Sequence, residues 1–203
     1  MDILSQLNNM TVMIKAEFPF IISWLGVAWA VQIVNVLLGN RLMIFGILPR
    51  SIIGVPGIIM SPFIHGDFNH LFMNSMFFIA MGSMLILHGK LVFYSASLSI
   101  IIISGCLVWF FGRYAFHLGA SSLIMGYWSF LLTKAYFQPN LLDIISAGVG
   151  MYYCGIHLTA SLLARGPDVS EEGHISGFIA GIVTAIYYSQ LSKSLYPVVK
   201  LIV

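Results

Sequence analysis

The chain has 203 residues, of which 59% are hydrophobic and only 8% charged, with a formal net charge of +2. A soluble domain carries about 25% charged residues, so an ordinary soluble globule is excluded. The same balance excludes a disordered chain and a nucleic-acid binder, which needs a dense basic surface. With a mean hydropathy of +0.96, the composition is that of a polytopic membrane protein.

A helix crosses the hydrocarbon core with about 20 apolar residues. Taken in chain order, the uncharged windows have that length. They are 18–40 between Glu17 and Arg41, 68–89 between Asp67 and Lys90, and 91–112 between Lys90 and Arg113. Three more follow: 114–133 between Arg113 and Lys134, 144–164 between Asp143 and Arg165, and 173–192 between Glu172 and Lys193. Backbone groups in hydrocarbon must be satisfied within the segment, so the windows predict six transmembrane helices. A barrel would need alternating polar residues, which the windows lack.

The remaining stretches frame that bundle. Positions 1–17 are mixed, with no basic run ahead of an apolar one. They predict a short cytoplasmic segment and no cleaved signal. Positions 18–192 form a single six-helix membrane domain and 193–203 a short tail. Between the first two windows, Ser51–Gly66 is also uncharged, but it is shorter and is broken by Gly54, Pro56, Gly57 and Pro62. It cannot cross and reads as a membrane-associated loop buried against protein. Cys106 and Cys154 fall inside windows and read as buried apolar thiols without a disulfide.

Six crossings put both termini on one side. That side holds Lys15, Lys90, Lys134, Lys193 and Lys200, and the other holds Arg41, Arg50, Arg113 and Arg165. The small excess favours cytoplasmic termini.

Polar side chains inside spans are costly and mark functional sites. Three clusters stand out. His65-Gly66-Asp67-Phe68-Asn69-His70 and Asn74 open the second span, and His70 and Asn74 share a helix face at i, i+4. Gly119-Ala120-Ser121-Ser122 opens the fourth span. A serine at a helix start is usually a cap. It also sits beside free backbone N–H groups and the positive end of the helix dipole. Gly173-His174 opens the sixth span, and His174, Gly177 and Gly181 lie on one face of a glycine seam suited to close packing. All three spans start on the side opposite the termini, so His70, Asn74, Ser121 and His174 fall at similar depths. Together they make a nucleophile, a base and oxyanion donors.

In this combination the chain resembles the rhomboid intramembrane serine proteases over about positions 18–190. The resemblance rests on His-x3-Asn opening span 2, Gly-x-Ser opening span 4 and Gly-His opening span 6. Gly46-Ile47-Leu48-Pro49-Arg50, Gly54-Val55-Pro56-Gly57 and Pro62-Phe63-Ile64-His65 also resemble the first loop of one bacterial branch. It implies an all-α, six-helix rhomboid-like bundle with a water-filled cavity and a membrane-associated first loop. It implies a bacterial inner-membrane endopeptidase that cleaves transmembrane protein substrates within the lipid bilayer. Ser121 is then the nucleophile and His174 the base, with His70, Asn74 and the Ser121 backbone N–H as the oxyanion hole. His65, Gly119, Met125, Gly177 and Gly181 support them. Span 5 and the loop from Arg165 to Glu172 would form a gate and cap.

The chain departs from the family pattern at Ser122, usually Gly, and at Met125, often Tyr or Phe. A methionine fills such a gap by a sulfur–ring contact. Spans 2, 4 and 6 hold no carboxylate, so a dyad is expected rather than a triad, with no cofactor or metal. A zinc protease would need His-Glu-x-x-His, which is absent, and His65 and His70 are five apart. An aspartyl protease needs two carboxylates within the membrane, and a transporter needs ionisable residues at the midplane. A rhomboid relative that binds client proteins without cleaving them is the alternative.

Overall fold

The computed structural model describes residues 3–137, 139, 141–155 and 170–199. Among these the chain is helical and without strands, and one antiparallel bridge joins Ile47 to His117.

Helix α1, Ile3–Leu37, carries Pro19 inside it. Its buried residues Ile21, Ala28, Gln32 and Asn35 recur at helical intervals and form one stripe. Val27, Ile33, Val34 and Leu37 are exposed on the remaining surface. Apolar surface on that scale needs lipid to cover it.

Residues 38–67 form the long first loop, folded into short helical turns that include α2, Gly57–Met60. Its inner side is anchored to protein. Arg50 donates through Nη1 to Gly112 O at 2.8 Å, and Trp109 Nε1 donates to Ser51 O at 2.9 Å. Gly57 lies so close to the Gly46 backbone that a Cβ there would collide with it. The outer side is different: Ile52 is 85% exposed and Ile53 61%. Burial against protein therefore holds for one side of this loop only.

Helix α3, Phe68–Ile86, begins where the Asp67 carboxylate accepts the His70 N–H at 2.7 Å, an N-cap. A tight turn at Leu87–Gly89 leads into α4, Lys90–Phe111. Helix α5, Ser121–Phe137, is buried at every position from Leu123 to Leu131. Such a helix is an interior one, and the others are arranged around it. Helix α6, Leu141–Gly150, runs into a π-helical turn at Met151–Gly155. Helix α7 is Glu171–Val199. At the centre, Tyr127 of α5 packs on Phe78 of α3 and Phe93 of α4 and shares a 2.7 Å hydrogen bond with Ser97.

Among the described residues, three helices are long and apolar enough to cross a membrane: Asn8–Leu37, Phe68–Ile86 and Lys90–Phe111. The window after Arg113 gives a helix of only 17 residues. Gly119, at φ +100°, breaks helical geometry just ahead of it. The window after Asp143 gives the short α6 and the π-helical turn. The rest of that window, the proposed cap up to position 169, the Cys154 side chain and Lys200 lie outside the described residues. Cys106 is a free, half-buried thiol.

Lys134 is not an exposed loop cation. It is 6% exposed and donates to both Asp143 oxygens at 2.9 and 2.7 Å, and Asp143 is fully buried.

Candidate active site

The loop between α4 and α5 returns to the interior at Gly119, whose N–H donates to Ser61 O at 3.0 Å. The Ala120 carbonyl accepts the first helical hydrogen bond of α5, from Ile124 N at 3.0 Å. Ser121 is thus the first residue of α5 and half-buried. The first N–H groups of a helix have no partner within it, so α5 aims backbone donors at the space around Ser121.

His70 and Asn74, one turn apart on α3, both reach this point. A Cβ built on Gly119 would stand 2.7 Å from His70 Cε1, 2.8 Å from His70 Nε2 and 3.1 Å from Asn74 Nδ2. The two side chains therefore converge on the peptide two positions ahead of Ser121. Asn74 is 6% exposed, and its buried Nδ2 donor meets no acceptor among the described residues. A buried donor without an acceptor costs about 1–3 kcal/mol. The cost disappears when negative charge develops beside it. His65 is buried behind His70, with ring centroids 5.1 Å apart. Burial, then the neighbouring His70, push its imidazole from 6.5 down to about 3, so at neutral pH it is uncharged. It supports the His70 ring by packing.

His174 lies in the first turn of α7 and is 5% exposed. One turn further, Gly177 abuts the Ser122 backbone so closely that a Cβ would overlap the Ser122 carbonyl. Gly181 abuts the Gly126 carbonyl and Ser129 Oγ in the same way. The glycine seam read from the sequence is therefore real, and its partner is α5. It presses the turn that carries His174 onto the turn that carries Ser121 and Ser122. Met125, 2% exposed, is one turn along α5 inside the apolar core.

Two residues of this region were not singled out by sequence reasoning. His117 is 6% exposed and bonds to Ser170, which caps the start of α7. Both lie outside regular helix, where no periodicity reveals burial. The one available signal was the placement of His117 four positions before Ser121.

The fold and site define an intramembrane protein with polar residues gathered at one end of a helical bundle. Residues 54–191 match the rhomboid domain, and the chain belongs to the rhomboid family. That family consists in general of intramembrane serine proteases. Uncharacterized proteins of Mycobacterium bovis and Mycobacterium tuberculosis are each 33% identical over 177 residues, covering 83% of this chain and 74% of their own. One from Mycobacterium leprae is 28% identical over 176 residues, covering 83% of this chain and 70% of its own.

Proposed function

We propose that this rhomboid-family membrane protein is a serine endopeptidase that cleaves transmembrane segments of other membrane proteins. The observation that carries the reading is the convergence at Gly119. His70 and Asn74 flank the peptide leading into Ser121, while the α5–α7 glycine seam brings the His174 turn to the same helix start.

In the proposed reaction the Ser121 hydroxyl attacks the scissile carbonyl carbon as the His174 imidazole takes its proton. Histidine suits that role because it exchanges a proton near neutral pH. The carbonyl oxygen becomes an oxyanion and accepts hydrogen bonds from the Asn74 amide, the His70 ring and the Ser121 N–H. Collapse breaks the C–N bond, and His174 returns the proton to the leaving amine. Water, deprotonated by His174, then attacks the ester carbonyl of the acyl-enzyme; the C–O bond to Ser121 breaks, and His174 returns the proton to Ser121 Oγ. The protein crosses the membrane six times in this reading, with cytoplasmic termini, in a bacterial inner membrane.

The test is labelling of the purified protein in detergent with a fluorophosphonate, followed by peptide mapping and cleavage of a reporter transmembrane substrate. Labelling should map to Ser121. Ser121→Ala and His174→Ala should each abolish cleavage, and the double variant should lose no more than either, because the two act as a unit. Full cleavage by Ser121→Ala sinks the mechanism. A well-folded protein that neither labels nor cleaves is a client-binding relative instead.

A further inference from the structure

The loop between α4 and α5 carries a buried imidazole that the proposed chemistry does not use. The backbone of His117 exchanges two hydrogen bonds with Ile47, N to O at 2.8 Å and O from N at 3.0 Å. Its ring is held at both nitrogens: Nε2 lies 3.0 Å from Arg113 O, and Nδ1 lies 2.7 Å from Ser170 Oγ. A carbonyl only accepts, so Nε2 carries the proton and donates to Arg113. In the neutral ring Nδ1 is then the acceptor, and the Ser170 hydroxyl donates to it. The same Ser170 oxygen accepts the Gly173 N–H at 3.0 Å, and the Ser170 carbonyl accepts the His174 N–H at 3.2 Å. The donors therefore point one way, from Gly173 through Ser170 and His117 to Arg113.

We propose that His117 is a positioning residue: through Ser170 it sets where the first turn of α7, and with it His174, stands against Ser121. The proposal rests on the reading of Ser121 and His174 as a dyad. Geometry favours His117 over the contacts of Arg113 with Glu172. The Arg113 backbone N–H donates to Glu172 Oε1 at 3.4 Å and Arg113 Nε lies 3.9 Å from the same oxygen, but the two side chains are 44% and 30% exposed. An exposed pair of that kind contributes about 0–1 kcal/mol and holds little in place. The His117 ring is buried, so water competes far less for its bond to Ser170.

The test compares His117→Gln, His117→Asn and Ser170→Ala in the purified full chain, with Gly89→Ala as a remote control. The readouts are kcat and KM on a reporter transmembrane substrate, the rate of Ser121 labelling by a fluorophosphonate, and Tm. An asparagine oxygen reaches the place of Nδ1 and still accepts from Ser170. A glutamine amide reaches the place of Nε2 and keeps only the Arg113 bond. Small displacements of a catalytic group cost up to about 10²-fold, so His117→Gln and Ser170→Ala should lose about tenfold or more in kcat and labelling rate. KM should be unchanged, and His117→Asn should retain most of the activity. Labelling at the wild-type rate in both His117→Gln and Ser170→Ala overturns the positioning role alone. So does a loss that follows Tm equally in all three variants. If wild-type Ser121 is not labelled, the dyad reading fails and this proposal falls with it.

Discussion

Gly119 meets two demands that no other residue type satisfies together. Its φ of +100° is a backbone conformation that side chains resist, and the space for a Cβ is already taken by His70 and Asn74. The tight turn and the convergence of donors are thus one feature. Asn74 supplies the sharper test. Loss of one oxyanion donor costs about 10²–10³ in kcat, roughly 3–4 kcal/mol. Asn74→Ala should therefore lower kcat by that factor with KM little changed. Its Tm should hold or rise, since a buried amide donor without an acceptor among the described residues is removed. A fall in turnover that only follows Tm would mark Asn74 as a packing residue. His65 predicts a pH effect. Its imidazole is held down at about 3 against an ordinary 6.5, by burial and then by His70. As pH falls below 6.5 the unfolded chain takes up this proton while the folded one does not. Stability is then lost as pH falls, by up to about 1.4 kcal/mol per pH unit, until the folded value is reached. His65→Gln should flatten the dependence of Tm on pH between 6.5 and 4. An unchanged slope would show that His65 titrates normally.

Between helices, two devices act at opposite ends of α5. Over its first half α5 is in close contact with α7, Gly177 against the Ser122 backbone and Gly181 against the Gly126 carbonyl and Ser129 Oγ. At its end Lys134 holds Asp143 of α6, and His88 Nε2 lies 3.2 Å from the same carboxylate. Breaking a buried pair by removing one partner costs about 3–5 kcal/mol, because the other charge is left behind, whereas replacing both with apolar residues is often neutral. Asp143→Leu and Lys134→Met should each lower Tm strongly, and the double variant should recover most of the loss. A double variant as unstable as the sum of the singles would show that each charge has a separate role.

At the scale of the molecule, topology is the open prediction. With Cys106 and Cys154 replaced by serine, single cysteines at Leu4, at Ile52 and appended after Val203 should divide by side. An impermeant maleimide should reach Ile52→Cys from outside intact cells, and the other two only after permeabilisation. Labelling of both terminal positions from outside would invert the orientation, and a split between them would exclude six crossings.

Much of this protein is legible in its residue order. Low charge and long apolar windows require a membrane, since no soluble fold hides so much apolar surface. The i, i+4 spacing of His70 and Asn74, and the small residues at Gly177 and Gly181, announce a helix face and a close contact, because helical periodicity is a local property. Local rules stop where contacts between distant segments decide. The start of α5 at Ser121 is legible from Gly119-Ala120-Ser121-Ser122, but the contact of Gly119 with His70 and Asn74 is not. Lys134 and Asp143 count as loop charges until packing buries them against each other. His117 and Ser170 lie 53 positions apart in loops that carry no period, so their 2.7 Å bond exists only after the chain has folded.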